Sequence, residues 1–181
     1  MKKNLLVKLA LLALSVVYLP HSVKAQSDKE KEKLMYSSKE AKTAFMKTDP
    51  TMSGLFASSY GYVVFPKNGK GGLIIGGSGG NGLVYKKSKP IGYAKMAQVT
   101  VGAQIGGASY SEIIFFENEA ALTRFQANKV EFSSQISAVA VKSGVSKDAK
   151  YADGVAVFTQ SLSGLMAEAT VGGQKFTYKP M

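Results

Sequence analysis

The stretch from Tyr60 to Phe116 decides the fold, and it begins Tyr60-Gly61-Tyr62-Val63-Val64-Phe65-Pro66. It continues through Gly71-Gly72-Leu73-Ile74-Ile75-Gly76-Gly77 and ends at Ile113-Ile114-Phe115-Phe116. Short β-branched and aromatic runs between glycines are typical of strands joined by tight turns. Because 13 of the chain's 19 glycines lie here, this stretch predicts a glycine-punctuated β-sheet.

The same stretch is cationic throughout. No Asp or Glu occurs between positions 50 and 111, so its lysines have no acidic neighbour in sequence. Five of them fall in two predicted turns and are the candidate lipid-binding residues: Lys67 and Lys70 in the first turn, and Lys86, Lys87 and Lys89 in the second. We expect the two turns to converge on one side of the domain as a positive platform. The alternative is that these lysines only solvate their turns.

The N-terminus has the layout of an export signal. A basic start at Met1-Lys2-Lys3 precedes an apolar run from Leu5 to Leu19, and Val23-Lys24-Ala25 resembles a cleavage site. We therefore predict a signal peptide over residues 1–25, cleavage near Ala25, and a periplasmic or secreted product. An uncleaved membrane anchor is the alternative, but it needs roughly 20 apolar residues.

Composition narrows the classes of function for the remaining residues, 26–181. The chain carries a formal net charge of +11 and no cysteine, which excludes disulfides, thiol nucleophiles and cysteine metal sites. A basic exported domain favours anionic membrane surfaces or other polyanions. Arg124 is the sole arginine, which argues against a nucleic-acid partner, since arginine commonly reads bases and phosphates.

The patterns predict one α+β domain: a strongly curved, mostly antiparallel β-sheet or a barrel-like sandwich, with flanking helices. Ser27 to Thr48 predicts a helix with Leu34, Ala41 and Phe45 on one stripe. Further predicted segments are a short helix at 51–57 after an Asp49 cap, strands at 60–65, 73–77 and 83–87 with a glycine turn at 79–82, strands within 91–105 and at 112–116, a helix opening at 117–119, β or mixed structure at 130–141, a polar loop at 143–151, a strand at 154–158, and a final hairpin at 165–178.

The sequence contains few of the residue patterns that are typical of catalytic sites. The single histidine, His21, lies in the predicted signal, so histidine-assisted nucleophiles are missing from the rest of the chain. Gly77-x-Gly79-x-x-Gly82 matches a dinucleotide fingerprint, but a strand-like Leu83-Val84-Tyr85 follows where that motif needs a helix. We predict no enzyme activity, cofactor or metal. A hydrolase using Glu112 and Glu119, or a pair such as Asp148 with Asp153, is the alternative.

Several blocks together resemble the SYLF domain, a lipid-binding and actin-regulator family. They are Gly61-Tyr62-Val63-Val64-Phe65-Pro66, Lys70 to Gly77, Gly80 to Val84, Val101 to Gly107, and Ser111 to Ile114, in the family's order. The resemblance covers about residues 30–178 and identifies the chain as an exported bacterial member.

The resemblance implies phosphoinositide binding, partly through an N-terminal amphipathic helix, and actin binding in some members. Carried over by position, the helix from Ser27 to Thr48 and Lys70 would face lipid. Glu112 stands where the family often has an acidic residue. Because the predicted export signal removes the chain from actin, we expect non-enzymatic binding of anionic phospholipid. The alternative is a structural or protein-interaction module of the bacterial cell envelope.

Overall fold

The computed structural model describes residues 19–69, 78–98, 109–128, 138–162 and 174–181. The chain divides into two compact units, Met1–Met35 and Tyr36–Met181. In the described part of the first unit, which is helical, Lys31 and Asp28 form an exposed ion pair of 3.2 Å. All seven described strands belong to the second unit.

Helix α1, Leu19–Thr48, begins eight residues before the predicted start at Ser27. Proline is tolerated in the first turn of a helix, where Pro20 lies, and no glycine or proline interrupts the rest of α1. The predicted packing stripe is confirmed at Ala41 and Phe45, which are buried against the sheet. These two side chains are therefore not available to lipid. No helix of the described ranges has the length and apolarity needed to cross a bilayer.

The predicted short second helix is confirmed as α2, Met52–Ser58, although Asp49 is not its N-cap. Thr51 holds that position. The buried Asp49 carboxylate instead accepts hydrogen bonds from Thr51 and from the backbone N–H groups of Gly144 and Ser146, at 3.1 and 2.8 Å. Asp49 thus ties the α1–α2 junction to a loop almost a hundred residues away.

The strands form one mixed, curved sheet in the order β5-β6-β4-β1-β2-β3-β7. Every described pairing is antiparallel except that of β5 with β6. Among the described residues the outermost strands, β5 and β7, do not pair, so the curved-sheet prediction is confirmed and the barrel-like alternative is wrong. The strands are β1, Gly61–Asn68; β2, Ser78–Lys86; β3, Lys89–Gln98; β4, Tyr110–Phe116; β5, Ala138–Ala140; β6, Val155–Ser161; and β7, Gln174–Pro180.

Helices cover both faces of this sheet. On one face, Phe45 of α1 and Met52 and Phe56 of α2 pack over alternate residues of β1, β4 and β6. On the other face, helix α3, Glu119–Gln126, inserts Leu122 and Phe125 into a second apolar cluster. The Phe125 ring lies 5.3 Å from that of Phe176, which ties α3 to the edge strand β7. Burial on both sides explains why β1 and β4 are almost continuously apolar.

The glycines at 79–82 lie inside β2 and do not form the predicted turn. A Cβ at Gly82 would come 2.7 Å from the Phe65 ring, and one at Gly80 would meet the Asn68 side chain. Glycine is therefore required there for the close approach of β1 and β2, not for a reversal of the chain.

The prediction that β1 ends at Pro66 is also wrong. β1 runs on to Asn68, with a register shift against β4 between Phe65 and Asn68. Proline is tolerated in a sheet at such an irregularity, and the Pro66 carbonyl accepts a hydrogen bond from the Ser111 hydroxyl at 2.7 Å. Lys67 and Asn68 are consequently strand residues, not turn residues.

Other predictions hold where the structure describes them. Asn118 caps α3 by accepting from the Ala121 N–H at 3.0 Å. The predicted polar loop contains a 3-10 helix at Val145–Asp148, and β6 and β7 lie close to their predicted positions. The predictions at 73–77, 99–105, 130–137 and 165–171 lie outside the described residues.

Candidate functional site

The β2–β3 hairpin places three of the predicted lysines at one turn. Lys86 and Lys89 are cross-strand partners, and only Lys87 and Ser88 connect them. Both connecting residues have left-handed backbones, with φ of 46° and 66°. This is the pattern of a type I′ hairpin, which usually selects Asn-Gly. The predicted second turn is therefore confirmed, and its sequence keeps lysine and serine where glycine would relieve strain.

Although no Asp or Glu occurs between positions 50 and 111, the fold brings an acidic residue from elsewhere in the chain to the hairpin turn. Lys86 Nζ lies 3.7 Å from Glu119 Oε1 and 4.9 Å from the centre of the Tyr60 ring. The pKa of Lys86 is raised, mainly by the hydrogen bond to Tyr60; desolvation opposes this shift, and Glu119 adds to it. Lys87 and Lys89 are exposed and form no ion pair with the other described residues. Two of the three hairpin ammonium groups thus remain open to a ligand.

Lys67 lies at the other end of the sheet. Gly61 pairs with Lys86, and Lys67 is six residues further along β1. At about 3.3 Å per residue, this separates Lys67 from the hairpin by about 20 Å. The expected convergence of the two lysine turns is therefore wrong for Lys67, and Lys70 lies outside the described residues. Whether any of the five binds lipid stays a prediction.

A cleft of about 370 Å³ opens beside the hairpin turn. The chain that leaves α2 forms one wall, the turn residues Lys87 and Ser88 form another, and Glu117 closes it from the end of β4. The Lys87 N–H donates to the Tyr60 carbonyl at 3.2 Å, which holds the turn against the α2 exit. The full lining is Phe56, Ala57, Ser58, Ser59, Tyr60, Lys87, Ser88 and Glu117.

Sequence reasoning did not find this cleft. The sequence predicts Glu117 as part of the opening of α3, and Ser59 belongs to no motif. Ser59 is 7 % exposed, and its hydroxyl has no hydrogen-bond partner among the described residues. Neither residue has a local signal, because the cleft joins three segments that are distant in sequence.

The opposite end of the sheet buries a carboxyl group. Glu112 is 0 % exposed and sits on β4 opposite Phe65 of β1 and Thr159 of β6. Its Oε2 accepts from Gln174 Nε2 at 3.0 Å, whereas Oε1 has no hydrogen-bond partner in the described part of the chain. Burial raises the pKa of Glu112 to about 7, although the Gln174 hydrogen bond favours the charged form.

Glu112 and Glu119, the carboxylate pair of the hydrolase alternative, do not come together. Glu119 is exposed and pairs with Lys86 at the hairpin end, whereas Glu112 lies near the far end of β4. Asp153 binds Arg124 at 3.2 Å, and Asp148 is exposed on its 3-10 helix. Among the described residues, no three His, Cys, Asp or Glu side chains cluster as metal ligands. The hydrolase alternative therefore lacks a cleft shared by Glu112 and Glu119.

Comparison with known proteins supports a binding module. Residues 97–180 match the family model described as Ysc84, Las17-binding protein actin regulator, which is the SYLF family. This segment of the chain is similar to the SYLF family. The SYLF segment contains β4, α3, β5, β6 and β7, and with them Glu112, Glu117 and Glu119; the hairpin lysines precede it.

A curated relative extends the likeness beyond the SYLF segment. Beta cell expansion factor A from Aeromonas veronii is 33% identical over 128 residues, which is 70% of this chain. The aligned region covers 49% of the relative, so the chain spans about half the length of that protein. The SYLF match supports a module of the lipid or actin-regulator type in general terms.

Proposed function

We propose that this chain is a non-enzymatic binder of anionic phospholipid surfaces and that the β2–β3 hairpin is its main contact. The observation that carries the proposal is the hairpin turn itself, where Lys87 and Lys89 are exposed and free of ion pairs with other described residues. The resemblance to SYLF domains suggests phosphoinositides or other anionic phospholipids as the ligand class. We further propose export through residues 1–25, which would separate the chain from actin.

The expected strength of this contact is modest. Each lysine near an anionic bilayer contributes about 1 kcal/mol, so Lys87 and Lys89 together contribute about 2 kcal/mol. Lys86 adds less because Glu119 partly neutralises it. Adsorption of this kind is screened by salt, since the Debye length falls to about 3 Å at 1 M. The proposal therefore requires binding that weakens strongly as salt rises.

Flotation of the full chain with lipid vesicles tests the proposal. We expect recovery with vesicles that contain phosphatidylglycerol or a phosphoinositide, little recovery with pure phosphatidylcholine, and loss of binding at high salt. Equal recovery with neutral and anionic vesicles would refute the proposal. Two results together would favour the protein-interaction alternative. The chain would not bind vesicles, and its function in the cell envelope would survive charge reversal at Lys86 and Lys87.

A further inference from the structure

The cleft beside the hairpin presents opposite charges that do not pair with each other. Lys87 and Glu117 both line it and both are exposed. The ion pairs of the described residues join Lys31 with Asp28, Lys86 with Glu119, and Arg124 with Asp153. A ligand in this cleft therefore meets one ammonium group and one carboxylate that form no ion pair with the described residues.

The rest of the lining is polar and shallow. Ser58, Ser59 and Ser88 bring three hydroxyl groups, and the Ser59 hydroxyl is buried without a partner in the parts of the chain that the structure describes. Phe56 offers no deep apolar slot, because its ring is already packed edge-on against Tyr62 and Phe115 at 5.1 and 4.9 Å. The cleft thus suits a small, hydrogen-bonding ligand and not an acyl chain, and its volume is near the lower end for small-molecule sites.

We infer that the cleft binds the zwitterionic phosphoethanolamine headgroup of a membrane phospholipid. The Lys87 ammonium would bind the phosphate, the Glu117 carboxylate would accept N–H hydrogen bonds from the ligand's ammonium, and serine hydroxyls would donate to the remaining phosphate oxygens. This inference rests on the proposed function, since adsorption through the hairpin brings headgroups to the cleft that Lys87 shares with the tip.

The charges of the cleft also disfavour other phospholipid headgroups. A purely anionic headgroup would meet the Glu117 carboxylate, and like-charge contact works against it. Phosphocholine carries the same two charges as phosphoethanolamine, but its trimethylated nitrogen has no N–H to donate to Glu117. Selectivity for phosphoethanolamine over phosphocholine is thus the property that identifies this site.

Vesicles of matched charge test the inference with the full chain. The phosphatidylglycerol fraction is held constant, and the remaining lipid is either phosphatidylethanolamine or phosphatidylcholine. We expect about two- to fivefold tighter binding to the phosphatidylethanolamine vesicles, the range for an exposed charge contact. Glu117→Gln should remove this preference and keep salt-sensitive binding to both vesicles. Unchanged thermal unfolding of Glu117→Gln checks that the variant is folded.

Soluble headgroups separate headgroup recognition from effects of lipid packing. O-phosphoethanolamine should shift the amide resonances of Lys87, Ser88 and Glu117 in a two-dimensional NMR spectrum at lower concentration than phosphocholine or glycine does. Stronger shifts with glycine would reassign the cleft to free amino acids and overturn the inference. Equal binding to the two vesicles, or a preference that persists in Glu117→Gln, would also overturn it. Absence of any binding to phosphatidylglycerol vesicles would instead sink the proposed function.

Discussion

At the scale of single residues, burial strongly perturbs the carboxyl group of Glu112. It is buried with one hydrogen bond, from Gln174, and with no cationic partner among the described residues. Because its pKa rises from 4.5 to about 7 on folding, the folded state holds a proton that the unfolded state releases at lower pH. This contribution to stability is complete below pH 4.5 and is lost as pH rises through about 7.

Glu112→Gln should therefore flatten the pH dependence of stability. At 1.36 kcal/mol per pKa unit, wild type should lose about 3 kcal/mol of unfolding free energy between pH 5 and pH 8 from this group. Urea unfolding at both pH values measures the loss. The exposed Glu119→Gln serves as the control and should keep the wild-type slope. An unchanged slope in Glu112→Gln would show that Glu112 does not titrate in this range.

Asp49 acts in the opposite direction. Desolvation by burial would raise its pKa, but hydrogen bonds from Thr51 and Ser146 outweigh it and lower the pKa far below 3.8. Its contribution is present above pH 3.8 and is lost as pH falls through the folded-state pKa.

Asp49→Asn should destabilise the domain by about 1–3 kcal/mol, since an amide group cannot accept at both of its ends. It should also weaken the dependence of stability on acid. Thermal unfolding at neutral pH and at pH 3 measures both effects. Asp148→Asn changes an exposed carboxylate on the loop's 3-10 helix and should behave as wild type. Equal stability of Asp49→Asn and wild type would contradict the role of Asp49 as a tie between segments.

The hairpin turn is the feature that decides the candidate site at the scale of elements. Lys87 and Ser88 both adopt left-handed backbones without glycine, an arrangement that costs roughly 1–2 kcal/mol per residue. Strain of this kind is retained where the surrounding structure fixes the turn, as the Lys87 to Tyr60 hydrogen bond does here.

Ser88→Gly should relieve part of this strain and raise the unfolding free energy by about 1 kcal/mol. Differential scanning calorimetry measures the gain. Ser53→Gly, which replaces a serine within α2, should instead lower stability because glycine disfavours helix. A loss of stability in Ser88→Gly would contradict the assigned turn.

Features that depend on adjacent residues could be predicted from the sequence, whereas features that depend on contacts between distant residues could not. The start of α3 near 117–119 and the turn at Lys87–Ser88 depend on only a few adjacent residues, and the sequence predicts both. The glycines at 79–82 also predict a turn when they are judged by their neighbours in sequence. In the structure, glycine is needed at position 82 because the Phe65 ring of the neighbouring strand leaves no room for a side chain. The burial of Glu112 depends on Gln174, more than sixty residues away, and no local pattern encodes it.

The incorrect prediction of a turn at 79–82 also gave a wrong placement of the lysines in the whole molecule. With a turn at 79–82, two strands would separate the lysine segments at 67–70 and 86–89, and both would lie at the same end of an antiparallel sheet. Residues 78–86 instead form a single strand, which pairs antiparallel with β1 and places Lys86 opposite Gly61. Lys67 and the hairpin therefore lie at opposite ends. The fold also brings Glu117 and Glu119 to the hairpin, so the local charge is mixed and not purely positive.

The molecule thus has one end with an open, charged hairpin and another with a buried carboxyl group. If the hairpin end is the membrane contact, the effect of charge reversal on vesicle binding should depend on which lysines are changed and not on the change in net charge. Lys87→Glu/Lys89→Glu and Lys67→Glu/Lys95→Glu change the net charge equally, and all four lysines are exposed. The second pair lies away from the hairpin along β1 and β3.

The most direct test compares these two double variants in their affinity for phosphatidylglycerol vesicles at low salt. We predict that Lys87→Glu/Lys89→Glu loses at least tenfold in affinity, since each reversal removes about 1 kcal/mol of attraction and adds repulsion. Lys67→Glu/Lys95→Glu should keep most of its affinity. Equal losses in the two variants would show that net charge alone drives adsorption, and would contradict the hairpin as the contact.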